Sequence, residues 1–142
     1  MSVFAVIDTN VLVSALLSSH MDAATVRVVD KLFTAEIIPL FNETTMAEYK
    51  EVLHRPKFHF PKEAIQNLLE AIRQNGANVE PVATGEIFPD QKDIVFYEVA
   101  MAKQDENAYL VTGNIKHFPV RPFVVTPKEM LDILAESSPL KK

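Results

Sequence analysis

The segment from Val3 to Leu17, VFAVIDTNVLVSALL, decides the fold class. Its first part is apolar and β-branched, which predicts a strand over 2–7 that stops at Asp8. Its second part, 11–17, is apolar on nearly all sides, and this is typical of a buried helix. A strand that leads directly into a buried helix is the repeating unit of α/β folds.

The rest of the chain continues this alternation. Helical spacing of apolar residues predicts further helices at 23–33, 46–53, 65–72 and 95–100. Short apolar runs predict strands at 37–41, 79–82, 109–112 and 122–125. Pro39 should make the first of these runs short or place it at a sheet edge. Thr126-Pro127-Lys128-Glu129 predicts a capping box that opens a last helix through Ala135. We therefore predict an α/β fold with a mostly parallel sheet.

Composition limits the class of protein. The chain has 142 residues, 48% of them hydrophobic and 23% charged, which fits one globular domain. It has no cysteine, so disulfides, thiolate metal sites and cysteine nucleophiles are excluded. The formal charge of −5 argues against nonspecific binding of polyanions. A cluster of acids that holds divalent cations would nevertheless invert its own local charge.

The location of the protein is an expectation from the same sequence. No apolar run approaches the ~20 residues that a membrane span requires. The first residues, Met1 to Ile7, lack the cationic start and cleavage site of a signal peptide. We therefore expect a cytoplasmic protein without a membrane partner.

Four polar residues fall at the ends of the predicted elements. Asp8 follows the first strand, and Glu48 is placed in the first turn of the helix after the second strand. Asp93 starts the helix before strand 109–112, and Asn114 follows that strand. Because ligands of open α/β sheets bind beyond the carboxyl ends of the strands, these groups should converge on one edge. Carboxylates brought together there would repel unless a cation neutralised them, and oxygen ligands suit Mg²⁺ or Mn²⁺.

Asp8 and Glu48 each have a purely structural alternative. Asp8 would serve equally well as the cap of the helix that begins near Asn10. Glu48 lies three residues after Thr45, which is the spacing of a capping box.

Asp93 and Asn114 have structural alternatives as well. Asp93 would favour the amino end of its helix through the helix dipole, with Asp90 as the cap. Asn114 follows Gly113, an ordinary turn pair. The joint placement of all four residues at one edge is stronger evidence for a site than any one of them, because four capping roles need not share an edge.

Several stretches together resemble a known family. They follow in order after the opening segment: MAEYKEVLHRPKF at 46–58, FPDQKDIVFYEVAMA at 88–102, YLVTGNIKHFP at 109–119 and VVTPKEML at 124–131. This arrangement resembles the PIN-domain family, most closely its branch of VapC-like toxins from toxin–antitoxin pairs. The resemblance implies a three-layer α/β/α sandwich around a mostly parallel sheet. We assign that domain to 1–136 and expect 137–142 to be a frayed tail.

The resemblance also implies a set of site residues. Asp8, Glu48 and Asp93 match the acids that hold Mg²⁺ or Mn²⁺ in active members, which are ribonucleases and often homodimers. Asp90 lies in the same segment as Asp93 but matches the family acid less well. Asn114 stands where many members have a fourth aspartate, which predicts weaker retention of a second ion. Small polar residues that match the lining of that site are Thr9, Asn10, Ser14 and Thr112.

An RNA substrate would need local positive charge beside the acids. Candidates in the neighbouring segments are Lys50, Arg55, Lys57, Lys116, His117 and Arg121. Such residues contact phosphates without reading sequence. The alternative for Arg55 and Lys57 is that they only flank a loop. The histidines at 54, 59 and 117 show no spacing typical of metal ligands.

The resulting hypothesis is a Mg²⁺- or Mn²⁺-dependent endoribonuclease that acts as the toxin of a type II toxin–antitoxin pair. Its expected partners are RNA, a cognate antitoxin and a second copy of the chain. One alternative is a catalytically weak PIN-like module that binds a regulatory partner. Another is an aspartyl-phosphate phosphatase, but that class has a second aspartate two residues after the first, where this chain has Asn10.

Overall fold

The computed structural model describes residues 2–137 as alternating strands and helices. The strands are β1 (Val3–Ile7), β2 (Ile37–Phe41), β3 (Ala77–Asn78), β4 (Tyr109–Val111) and β5 (Val124–Val125). The helices are α1 (Thr9–Leu17), α2 (Ala24–Phe33), α3 (Glu43–Leu53), α4 (Lys62–Asn75), α5 (Ile94–Met101) and α6 (Pro127–Ser137). Residues 138–142 of the expected tail lie outside the described residues.

The five strands form one parallel sheet in the order β3-β2-β1-β4-β5. The central strand β1 pairs on one side with β2, where Ala5 faces Pro39, and on the other with β4, where Ala5 faces Tyr109. Since all strands run in the same direction, the carboxyl ends of β1, β2 and β4 meet at one edge. This confirms the predicted α/β fold with a parallel sheet.

Helices flank the sheet. α5 packs against β1, β2 and β4, whereas α2 packs against β2 and against α1, α4 and α6. β1 is buried along Ala5, Val6 and Ile7, as expected for a central strand covered on both faces. Among residues 2–137, no helix has the length and apolar character that a membrane crossing would need.

Of the two outcomes expected from Pro39, a short strand or an edge strand, the second was wrong: β2 has five residues and lies between β1 and β3. The carbonyl of Phe41 accepts a hydrogen bond from the Val79 N–H, so the odd-numbered residues of β2 direct their backbone groups toward β3. The nitrogen of Pro39 therefore faces β3, whose first residue pairs only with Leu40. A residue without an N–H is tolerated there because no ladder hydrogen bond is required.

The third strand lies earlier than the predicted run 79–82. Gly76 precedes it at the point where α4 turns back toward the sheet, and a Cβ there would come 2.2 Å from the carbonyl oxygen of Pro39. This close approach starts the pairing at Ala77. Val79 is buried but Val82 is 43% exposed, so the apolar run 79–82 packs into the core at its first residue and not at its last.

The last helix begins as predicted. The N–H of Thr126 donates to Glu129 Oε1 at 2.8 Å, and the N–H of Glu129 donates to Thr126 Oγ1 at 3.1 Å. This reciprocal pair is the predicted capping box.

Candidate active site

Asp8 lies at the carboxyl end of the central strand and is 5% exposed. Its N–H donates to the carbonyl of Val111 at 2.9 Å, so its backbone still belongs to the sheet. Asp8 occupies the N-cap position of α1, but its side chain makes no capping hydrogen bond. The capping alternative therefore does not explain this carboxylate.

The Asp8 carboxylate is held by two side-chain donors. Thr112 Oγ1 donates to Asp8 Oδ2 at 2.8 Å, and Asn10 Nδ2 donates to the same oxygen at 3.0 Å. Asn10 Oδ1 in turn accepts from the N–H of Gly113 at 3.1 Å, and Thr112 Oγ1 accepts from the N–H of Asn114 at 2.9 Å. The loop after β4 thus fixes the orientation of Asp8 through both neighbours.

The environment of Asp8 disfavours its charge. Burial is the largest cause and raises the pKa of Asp8 to about 6, although the hydrogen bond from Thr112 opposes the shift. The negative charges of Asp93 and Glu48 raise it further. The three predicted acids are therefore close enough to act on one another.

Asp93 ends a short 3₁₀ turn, Gln91–Asp93, and takes the N-cap position of α5 without a side-chain capping bond. The cap of that turn is Asp90, whose Oδ1 accepts from the N–H of Lys92 at 3.0 Å. The capping role expected for Asp90 is confirmed. Asp93 therefore does not serve as the cap, although its charge still lies at the amino end of α5, where the helix dipole favours it.

One oxygen of Asp93 is buried without a hydrogen-bond partner among residues 2–137, namely Oδ2. Nδ1 of His117 lies 3.5 Å from this oxygen, an ion-pair distance when the imidazole is protonated but too long for a good hydrogen bond. Burial raises the pKa of Asp93, with further increases from Asp90 and Glu48 and an opposing effect from His117.

Glu48 is not in the first turn of its helix, so that prediction was wrong. α3 opens with a capping box in which Asn42 accepts from the N–H of Thr45 and Thr45 Oγ1 accepts from the N–H of Asn42. Glu48 is three residues beyond Thr45 and takes no part in the cap. Its side chain is partly buried, and its charge contributes to the pKa of both Asp8 and Asp93.

Tyr49 is a site residue that the sequence analysis missed. Its ring is buried, and its hydroxyl donates to the carbonyl of Ile7, the residue directly before Asp8. This bond ties α3, which carries Glu48, to the end of β1. Burial, and then the charge of Asp8, raise the pKa of the Tyr49 phenol. A tyrosine on the apolar stripe of a helix was the available signal, because a buried phenol needs a hydrogen-bond partner.

The other predicted polar residues are at the rim. Asn114 is exposed, and its backbone rather than its side chain joins the Asp8 network through Thr112. Ser14 is exposed on α1, one helical turn after Asn10. The ordinary-turn alternative for Asn114 therefore accounts for its backbone contact.

The basic candidates differ in whether they already have partners. Arg55 makes two hydrogen bonds to Glu51, at 3.0 and 2.9 Å, and Arg121 pairs with Glu86 at 2.8 Å. Lys57 places its Nζ 5.2 Å from the centroid of the Phe58 ring. Two further lysines are exposed, Lys50 and Lys116.

The donor set fits a hydrated divalent ion better than a closed metal cage. Within the described chain, no three His, Cys, Asp or Glu side chains come together as a group that could hold a metal. However, two buried side-chain oxygens in residues 2–137 lack a hydrogen-bond partner. They are Asp93 Oδ2 and Thr9 Oγ1, and Thr9 directly follows Asp8 in the sequence. Mg²⁺ commonly uses one or two carboxylates and keeps several waters. The residues present therefore fit such an ion.

A groove of about 590 Å³ lies away from these acids, between α3 and α4. Lys50 and His54 contribute to its wall, but Asp8, Glu48 and Asp93 do not. The candidate active site is therefore separate from this groove and lies at the carboxyl ends of the strands, where the acids come together.

Comparison with known proteins identifies the family. The family model described as PIN domain matches residues 5–116, which include Asp8, Glu48, Asp93 and Asn114. Comparisons with curated proteins and with solved structures gave no match. PIN domains are typically nucleases and generally use divalent metal ions. On the match and on the parallel sheet with its acids at one edge, the chain belongs to the PIN-domain family.

Proposed function

We propose that this protein is a Mg²⁺- or Mn²⁺-dependent endoribonuclease. The observation that carries the proposal is the pair formed by Asp8 and Asp93. Both carboxyl groups have a raised pKa, chiefly because of burial, neither makes a capping hydrogen bond, and one buried oxygen of Asp93 has no hydrogen-bond partner in residues 2–137. In a PIN domain, such a pair is well suited to a divalent cation, because the cation would offset the cost of burying these charges and the repulsion from neighbouring acids.

Asp8 and Asp93 would hold the ion, and Glu48 would either ligate it or orient the attacking water. A bound ion of this type lowers the pKa of water and stabilises the charge that develops on the phosphoryl oxygens. Thr112 and Asn10 orient Asp8, as their hydrogen bonds show. In-line attack by water would leave a 5′-phosphate and a 3′-hydroxyl.

The rim residues would position the RNA. Lys57 and Lys116 are exposed and would contact phosphates, whereas Arg55 would first have to exchange its bond to Glu51. Ser14 and Asn114, both exposed beside the network, would contact a sugar or phosphate oxygen.

We extend the proposal to a toxin of a type II toxin–antitoxin pair that acts as a homodimer in the cytoplasm. The support for this part is the sequence resemblance to that branch of the family. An antitoxin would have to cover the acidic edge, and an arginine inserted against Asp8 and Asp93 would neutralise it as a cation does.

The direct test is cleavage of an RNA panel with Mn²⁺ by the wild type and by Asp8→Asn, Asp93→Asn and Asp90→Asn. We expect the first two substitutions to lower the rate on the order of 100-fold or more, since each removes a charge that acts on the transition state. Asp90→Asn is the matched control, because asparagine caps a turn as well as aspartate does. Undiminished Mn²⁺-dependent cleavage by Asp8→Asn would refute the assignment.

The second candidate is a catalytically weak module that binds a regulatory partner. It is favoured by Asn114, which replaces a fourth acid, and by the lack of a preformed three-acid group in residues 2–137. This alternative predicts that the wild type binds a partner protein but cleaves no RNA at any Mn²⁺ concentration. Restoring the acid with Asn114→Asp would then be expected to raise metal affinity and produce cleavage.

A further inference from the structure

The segment after α3 combines positive charge with stacked aromatic rings. Residues 54–62 read HRPKFHFPK and contain two lysines, an arginine and two histidines but no acid, in a chain with a formal charge of −5. Phe58 and Phe60 stack with centroids 5.1 Å apart and planes 8° from parallel. Single-stranded nucleic acids are commonly bound by such a mixture of basic and aromatic side chains.

The backbone holds the two rings in place. A 3₁₀ turn over Pro56–Phe58 is closed by a hydrogen bond from the His59 N–H to the Pro56 carbonyl, and His59 has a left-handed conformation with φ 55°. That conformation reverses the chain between the phenylalanines, and Pro61 follows immediately. The rings are therefore arranged before any ligand arrives, which lowers the entropic cost of binding.

Only one of the two rings is needed for the core. Phe60 packs against the hydrophobic core, whereas Phe58 is not among the partly buried side chains of residues 2–137 that do so. Phe58 is supported by Phe60 on one side and has the ammonium group of Lys57 5.2 Å from its centroid. Phe58 is half-buried and Lys57 is exposed. A cation–π contact at the protein surface is weak, and a base stacked on an aromatic ring is bound more strongly.

The segment lies beside the candidate active site. Arg55 binds Glu51 at 3.0 and 2.9 Å, and Glu51 lies on α3 one helical turn after Glu48, so Arg55 is on the side of α3 that carries Glu48. A strand whose base lies on Phe58 would therefore continue toward the acidic edge.

We propose that the Phe58 ring, supported by Phe60, is a stacking platform for one unpaired RNA base, and that Lys57 leaves the ring to contact a neighbouring phosphate. This inference rests on the proposed function for its ligand. It requires a base that is free to unstack, so a regular duplex should not use the platform.

The chain has no tryptophan, so Phe58→Trp provides a unique fluorescent reporter. We would place it in the Asp8→Asn background, which keeps the strand intact, and titrate it with oligoadenylate and with an abasic strand of equal length. Stacking should quench the tryptophan with oligoadenylate but not with the abasic strand. Phe33→Trp, at a 50% exposed position on α2, is the matched control and should not respond to either strand.

Phe58→Leu gives the independent affinity test. It should weaken binding of oligoadenylate about tenfold and leave binding of duplex RNA essentially unchanged, since stacking contributes only to unpaired bases. Its thermal midpoint should fall by only a few degrees, because the variant loses the stack on Phe60 but no residue of the core. Phe58→Trp should restore or exceed the affinity of the parent.

Three outcomes would overturn the inference: unquenched fluorescence of the Phe58→Trp variant while the strand binds, an unchanged affinity in Phe58→Leu, or no binding of oligoadenylate by the parent. These results are distinct from failure of the proposed function. If the wild type cleaves RNA with Mn²⁺ while Phe58→Leu binds and cleaves as well as the wild type, the nuclease stands and the platform does not. Quenching of the introduced tryptophan without any cleavage by the wild type would support the platform and contradict the nuclease.

Discussion

Asp8 and Asp93 occupy similar positions in the fold, but their carboxylates differ in hydrogen bonding. Each lies at an N-cap position without capping, and burial raises the pKa of each. Asp8 Oδ2 receives hydrogen bonds from Thr112 and Asn10, whereas Asp93 Oδ2 is buried without a hydrogen-bond partner in the described chain and has only His117 at ion-pair distance. The fold fixes the Asp8 carboxylate with hydrogen bonds and leaves that oxygen of Asp93 without one.

This difference shows how acidic side chains can be held close together in the absence of the proposed cation. The protein stabilises the orientation of Asp8 with neutral donors, which do not compete with a metal as a lysine or arginine would. The remaining repulsion between the acids and the cost of burying their charges destabilise the folded state. The site should therefore be a source of instability that a cation relieves.

The largest expected effect is on stability, from Asp8→Asn without metal. The folded-state pKa of about 6 is above the ordinary value of 3.8, so the folded protein binds the proton more tightly than the unfolded chain. Stability must then fall as the pH rises through this interval, and the cost is fully present above the folded-state pKa. Roughly two pKa units correspond to about 3 kcal/mol, which Asp8→Asn should recover above that pH and not below pH 3.8.

Urea unfolding in EDTA at several pH values measures this gain. Asp105→Asn, in an exposed turn, serves as the control and should change little at any pH. A stability of Asp8→Asn that stays equal to the wild type at high pH would contradict the buried, disfavoured charge.

The second effect is stabilisation by the cation. A hundredfold excess of Mn²⁺ over its dissociation constant should add about 2.7 kcal/mol to the free energy of unfolding of the wild type. Asp93→Asn should lose this gain, because Asp93 Oδ2, which has no hydrogen-bond partner in residues 2–137, is the oxygen that would bind the ion. Thermal unfolding with and without Mn²⁺ measures the effect, and an equal gain in wild type and variant would remove Asp93 from the site.

A smaller effect distinguishes the hydroxyl of Thr112, which is hydrogen-bonded, from that of Thr9, which has no hydrogen-bond partner in residues 2–137. Thr112→Val should cost about 2 kcal/mol of unfolding free energy, since both the Asp8 carboxylate and the N–H of Asn114 lose a partner. Thr9→Val removes a buried hydroxyl that has no partner in residues 2–137, so it should be neutral or stabilising by up to ~1 kcal/mol in EDTA. Equal effects in the two variants, measured by urea unfolding, would mean that the Thr112 bond does not hold Asp8.

The smallest effect concerns two buried tyrosine hydroxyls. Tyr49→Phe loses the bond to the Ile7 carbonyl, and Tyr97→Phe loses a 2.6 Å bond to Glu86; each should cost about 1 kcal/mol. Only Tyr49→Phe should also weaken Mn²⁺ binding, about tenfold, because the Tyr49 hydroxyl ties the helix of Glu48 to the strand that leads to Asp8. If both variants bind Mn²⁺ as the wild type does, Tyr49 is merely structural.

The strands and helices were largely predictable because apolar periodicity reports burial directly. β1 ends at Ile7 as predicted, and the capping box at Thr126 was identified from four residues. Glu48 was misplaced because two overlapping segments fit the same spacing rule, one starting at Asn42 and one at Thr45. The end of β2 at Phe41 selects Asn42, and that pairing depends on strands distant in sequence.

The sequence predicted which residues make up the candidate site, but not the contacts between them. Placing Asp8, Glu48 and Asp93 at one edge needed only strand direction and family resemblance. The bond from Tyr49 to Ile7 and the contact of His117 with Asp93 join residues across the fold, and no local pattern specifies them. The third strand shifted for the same reason, since the approach of Gly76 to Pro39 is set by packing.

The backbone bond of Asp8 to Val111 has a consequence for dynamics. The Asp8 amide belongs to the centre of the sheet, so it should exchange with solvent deuterium only on global unfolding. Asp93 is the last residue of a 3₁₀ turn whose first two residues are exposed, and such a turn opens by local fluctuation. A local opening at the candidate site would therefore move the Asp93 side while the Asp8 side stays in place.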